Sequence, residues 1–120
     1  MFRIFRVSML WVLLLPYACT FVGAASNQLV LIANHDKFPV MVNEAKRVKY
    51  EPDANGLIDS EHCVMTNETH LNALADVFDL KDGIYSIGDF LLMLGDWLSQ
   101  FCLYVWIALV VKSMLEAQRR

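Results

Sequence analysis

The sequence predicts a mainly α membrane protein: two transmembrane helices joined by an exterior segment that holds a short amphipathic helix and short extended or irregular pieces. Three observations predict it. Two long apolar stretches bracket the chain, one from Val7 to Val22, resuming after Ser26-Asn27-Gln28 as far as Ala33, and one from about Phe90 to Val111. Basic residues stand outside both: Arg3 and Arg6 before the first, Lys112, Arg119 and Arg120 after the second. Between them, residues 34–85 carry ten acids and five bases, a net charge of −5. Cationic flanks stay on the cytoplasmic side of a bilayer. Both termini are therefore expected inside and residues 34–85 outside, in a cell membrane. The chain divides accordingly into an N-terminal span (1–33), an exterior segment (34–85) and a C-terminal span with a basic tail (86–120).

Composition agrees. Hydrophobic residues make up 57% of the chain, above the roughly 45–50% usual for soluble domains. An acidic exterior segment offers no electrostatic footprint for nucleic acid. Cys63 is the one cysteine outside the apolar stretches, so the exterior segment cannot hold an internal disulfide. Cys19 and Cys102 read as small buried thiols.

Residues 1–26 also have the pattern of a secretory signal: Arg3 and Arg6, an apolar run from Met9 to Val22, then Gly23-Ala24-Ala25. The competing reading is an uncleaved anchor, because apolarity resumes at Leu29-Val30-Leu31-Ile32-Ala33. A helix from Val7 to Ala33 would be about 40 Å long, more than the ~30 Å hydrocarbon core. Ser26, Asn27 and Gln28 would then lie near the outer interface or against another helix. Periodicity alone leaves the two readings level.

In the exterior segment, Pro39 disfavours helix at Phe38, and Lys37–Val42 is expected to be extended. Arg47–Tyr50 is a second extended candidate. Asn55-Gly56 is the clearest turn signal. The basic cluster Lys46, Arg47, Lys49 can contact anionic headgroups, but the plainer expectation is that it is solvated. From Thr66 the pattern turns helical: Thr66 or Asn67 can cap, and Leu71, Leu74, Ala75 and Phe78 follow one stripe. Gly83 falls just past its expected end. Asn67-Glu68-Thr69 matches a glycosylation triplet, a pattern common by chance.

Ser86-Ile87-Gly88-Asp89 reads as a capping box with Asp as the acid, and starts the second helix at Ser86. Asp89 and Asp96 are seven residues apart, on nearly one face, with Ser86, Met93 and Gln100. Counting back about 20 residues from Lys112 sets the outer boundary near Met93 and makes Asp96 interfacial.

The order of these features resembles an uncharacterised family of multi-pass bacterial membrane proteins, a domain of unknown function. The resemblance rests on Leu29–Asn34 followed by Phe38-Pro39-Val40, then His62, then Thr69-x-Leu71-x-x-Leu74-Ala75-Asp76, Leu80, and Ser86-Ile87-Gly88-Asp89 with Gly95. It covers roughly residues 27 to 98. The family's segment before the matched Asn is a transmembrane helix, which implies a retained first span here. His35-Asp36 stand where the family has a glycine pair, Ala75 stands where it has Gly, and the upstream helices of longer members are absent. A version this short also suits a phage or mobile element. The resemblance implies architecture and no chemistry.

His62, Asp76 and Asp89 match family positions and can converge on the outer face. One His and two carboxylates can bind a metal or act as acid and base. The plainer reading gives Ser86 and Asp89 to capping and His62 to a loop hydrogen bond. His35 and His70 are weaker candidates. No His-Glu-x-x-His, Gly-x-Ser-x-Gly or phosphate-cradling loop is present. No cofactor is implied, catalytic residues are not identified, and metal binding stays open. Three functions remain: a non-enzymatic protein acting through self-association or a membrane partner, a membrane enzyme or metal site at His62, Asp76 and Asp89, and a phage-type pore former. The first leads, because the long patterned exterior segment argues against a simple pore.

Overall fold

The computed structural model describes residues 2–46 and 49–119. Helix α1 spans Phe2–Ala33 and helix α2 spans Ile87–Gln118. Both are long and apolar enough to cross a membrane, with mean hydropathy 1.3 and 1.7 over an 18-residue window within Leu14–Ala33 and within Ile87–Gln118. Between them lie β1 (Phe38–Val40), a 3-10 turn (Glu44–Lys46), β2 (His62–Val64), a second 3-10 turn (Asn72–Leu74), β3 (Phe78–Asp79) and β4 (Ile84–Tyr85). The chain forms two compact units. One holds α1 up to Phe21 and α2 from Leu92; the other is Val22–Leu91.

In the first unit, Gly95 lets α2 approach α1. A Cβ there would stand 2.9 Å from the Pro16 carbonyl oxygen and 3.0 Å from the Thr20 nitrogen. The Thr20 hydroxyl donates to the Pro16 carbonyl (3.0 Å) and the Ser99 hydroxyl to the Gly95 carbonyl (2.8 Å), which keeps both hydroxyls on their own helices. Pro16 of α1 and Gly95 of α2 are both buried at this contact. Close seams built on small residues are how apolar helices pack where burial from water cannot drive them together.

In the second unit, α1 stops by a left-handed turn. His35 (φ 54°) and Asp36 (φ 61°) both take positive φ, and the Asp36 N–H reaches back to the Leu31 carbonyl (2.9 Å). This is the Schellman arrangement, normally built on glycine. These are the two positions where the resembled family carries glycines.

Strand β1 then pairs in parallel with β2, Phe38 opposite His62 and Val40 opposite Val64. Its other edge takes Asp76: the Asp76 N–H donates to the Pro39 carbonyl (3.1 Å), and the Met41 N–H donates to the Asp76 carbonyl (2.8 Å). Val30, Phe38 and Ala75 form a small core, with Leu31, Met65 and Leu74 against it. The Asn55-Gly56 turn forms, with Gly56 at φ 77°; the Asp53 carboxylate accepts from the Asn55 and Leu57 N–H groups (2.8 and 2.9 Å).

Three expectations are corrected. The amphipathic helix from Thr66 does not form. Thr66 Oγ1 accepts from the Glu68 N–H (3.1 Å), Asn72 Nδ2 donates to the Thr66 carbonyl (3.0 Å), and Leu71 sits at φ 55°. Side chains claim the backbone groups a helix would use, and Asp76 onward is committed to sheet pairing, so only one 3-10 turn results. Gly83 instead closes the β3–β4 hairpin, accepting from the Leu80 N–H (2.9 Å).

The expected extended piece at Arg47–Tyr50 is a turn at its described end: the Lys49 and Tyr50 N–H groups both donate to the Lys46 carbonyl (3.0 and 3.1 Å). Arg47 and Val48 lie outside the described residues. Of the basic cluster, Lys46 is partly buried and engaged rather than solvated, while Lys49 stays exposed with one bond of its own. Lys46 donates to the Leu80 and Gly83 carbonyls and pairs with the Asp79 carboxylate, and Lys49 donates to the Asp82 carbonyl (2.8 Å). A hairpin of two-residue strands is too short to stand alone, and these ammonium groups hold its turn.

Candidate functional site

The start of α2 gathers the second unit's polar side chains. The Asp89 N–H donates to Ser86 Oγ (3.0 Å), and the Ser86 N–H donates to Asp89 Oδ2 (2.9 Å). Two backbone donors that no helical carbonyl can reach are thereby satisfied. Asn27 of α1 closes the network: its Nδ2 donates to Asp89 Oδ1 (2.8 Å), and Ser86 Oγ donates to its Oδ1 (2.9 Å). Gly88 makes room for Asn27, since a Cβ there would also stand 2.8 Å from the Gly23 carbonyl oxygen. Phe90 packs edge-on against Phe78 (5.3 Å between centroids) and tilted on Tyr85 (6.0 Å), so the β3–β4 hairpin braces the same helix turn.

Asp76 differs. It is 8% exposed, and its Oδ1 is buried with no partner among the described residues; Ser26 Oγ is likewise buried without one. Loss of hydration pushes the Asp76 carboxyl up to about 7, the charge of Asp89 adds to this, and His62 offsets part of it. A carboxyl poised there can hold or release a proton near neutral pH.

His62 faces elsewhere. Its Nδ1 lies 2.9 Å from both Asp59 carboxylate oxygens, and its ring meets Phe38 edge-on at 6.4 Å. The Glu61 backbone N–H and the His62 ring hold Asp59 below the usual carboxylate range. So Asp76 feels the charges of Asp89 and His62, while each of those two bonds to other partners. Among the described residues, no group of three or more His, Cys, Asp or Glu side chains is placed to hold a metal ion.

His35 and His70 meet in a cleft of about 360 Å³, whose lining includes Lys37, Cys63, Glu68 and Thr69. Burial pushes the Cys63 thiol up, against the effect of Lys37. Asn34 fastens one wall: its Oδ1 accepts from the His70 N–H and its Nδ2 donates to the His70 carbonyl (both 2.8 Å).

Sequence reasoning missed Asn27 as a partner of Ser86 and Asp89. The available signal was an amide within an apolar helix, where a polar side chain needs a partner. It also missed the clamp at Asn34; nothing local to Asn34 announces a partner 36 residues on.

Residues 5–101 match DUF5317, a family of unknown function. The chain belongs to this family. The match takes in α1 from its second turn, all of residues 34–85 and the first half of α2, so it covers both the polar network and Asp76. No curated protein and no solved structure matches the chain.

Proposed function

We propose that this member of the family is a small integral membrane protein that displays the 34–85 segment outside the cell and acts by association with other membrane proteins. The observation that carries this reading is α2: none of its most apolar stretch is buried within the chain. Trp97, Phe101, Tyr104 and Trp106 are each at least half exposed. Lipid or a partner helix is the natural cover for such a surface. The basic flanks favour cytoplasmic termini. The continuity of α1 through Ala33, with Asn27 bonded to the start of α2, favours a first span that is retained.

The chemistry points the same way. Asp89 spends both carboxylate oxygens on Ser86 and Asn27, the behaviour of a structural group. Asp76 alone supports the second reading, a proton-handling or enzymatic site with His62 and Asp89, because it is buried and titrates near neutral pH.

The test is extraction of membranes at alkaline pH, followed by N-terminal sequencing of the retained protein. Retention with Met1 or the next few residues at the N-terminus is expected. Release into the supernatant, or a sequence beginning near Ala25, overturns the two-span reading.

A further inference from the structure

Asp96 stands on the exposed side of α2 with Gln100, whose Nε2 donates to Asp96 Oδ2 (3.0 Å). The residue before it, Gly95, lies against Pro16 and Thr20 of α1. Those two positions fall within the apolar run of α1 that starts after Arg6 and ends at Ser26. Thr20 is six positions from Ser26, about 9 Å along a helix. Counting from Lys112 had set Asp96 at the interface. The contact with α1 sets it deeper, beside the interior of the first span.

A carboxylate at that depth facing lipid is unfavourable and calls for a partner. Gln100 supplies one hydrogen bond, and among the described residues no bond is seen to Asp96 Oδ1 or to Gln100 Oε1. Two acceptors on adjacent turns fit a cationic donor. The chain cannot provide one: no Lys or Arg occurs from Val7 to Asp36 or from Asp82 to Val111. A second copy would bring only another Asp96. Met93, Trp97, Phe101 and Tyr104, all exposed, surround the pair with apolar surface at helical spacing.

We infer that the Asp96–Gln100 face of α2 is a docking site for a transmembrane helix of another protein that carries a Lys or Arg at matching depth. This rests on the two-span reading and names the class of partner that reading leaves open.

The full chain is reconstituted in phosphatidylcholine vesicles with dye-labelled Leu/Ala peptides of about 20 residues. The peptides differ at one position in their outer third: Lys, Leu or Glu. Association is read by energy transfer. The Lys peptide is expected to bind about tenfold tighter than the Leu peptide, with the Glu peptide weakest. Asp96→Leu should abolish the preference, and Gln100→Leu should reduce it. Equal binding of all three peptides, or a preference that survives Asp96→Leu, overturns the inference. Asp96→Cys, on a background without the three native cysteines, gives a second readout. Labelling by a membrane-impermeant maleimide in carbonate-resistant protein overturns the docking site and leaves the two-span reading standing. Protein that carbonate extracts overturns both.

Discussion

Two segments open alike: Thr66–Thr69 and Ser86–Asp89 each place a hydroxyl where it can accept from a backbone N–H in the following turn. At Ser86 the cap is reciprocal and a 32-residue helix follows. At Thr66 the hydroxyl accepts from the Glu68 N–H, and three residues of 3-10 helix are all that form, beginning at Asn72. The difference lies in what comes next. Past Asp89 the chain is apolar and no strand competes for its backbone. Past Thr69, the Asp76 peptide is already taken by Pro39 and Met41 of the β1 edge. A cap proposes a helix; propagation depends on whether the following backbone is free to continue it.

The largest expected effect comes from filling the seam at the successful start. Gly88→Leu places a side chain against Asn27 and the Gly23 carbonyl, and should cost about 3 kcal/mol of stability in detergent melting. An unchanged melting temperature would mean that the two helices do not approach at this level.

Asp76 is next. Its folded value, about 7, lies above its ordinary one, so the folded state holds a proton that the unfolded state has released between those two values. Stability is therefore greatest below the ordinary carboxyl range, falls as pH rises from about 4 to about 7, and is flat above. Asp76→Asn should flatten this part of the profile and raise stability at neutral pH by about 1–2 kcal/mol. A wild-type profile that rises with pH over this window would mean that Asp76 is well solvated or paired.

The helix pair and the start of α2 were legible because apolar length, flanking charge and a four-residue cap are local signals. The segment between the two helices was legible only in pieces. Lys37–Val42 reads as extended because Pro39 acts on its neighbour, and Asn55-Gly56 reads as a turn for an equally local reason. The stripe Leu71, Leu74, Ala75, Phe78 misled, because period alone cannot report that Asp76 has a distant strand as its partner. At the candidate site, Ser86 and Asp89 were legible together, whereas Asn27 lies 59 residues from Ser86 and becomes its neighbour only when the two helices pack.

The smallest effects should be of opposite sign in the two segments, each about 1 kcal/mol or less. Ser86→Ala removes a cap and lowers stability. Leu71→Gly relieves a left-handed backbone in a half-exposed leucine and raises it. Matching signs in the two melting curves would break the contrast between a cap that propagates and a turn held under strain.

The two-span arrangement is tested most directly by cysteine labelling of intact cells with a membrane-impermeant maleimide. Asp53→Cys and Arg119→Cys are placed singly in a chain whose Cys19, Cys63 and Cys102 are replaced by serine or alanine. The expected result is labelling at position 53 in intact cells and at position 119 only after permeabilisation. Labelling at 119 but not at 53 in intact cells would contradict the assigned orientation, and labelling at both positions in intact cells would contradict a membrane hairpin altogether.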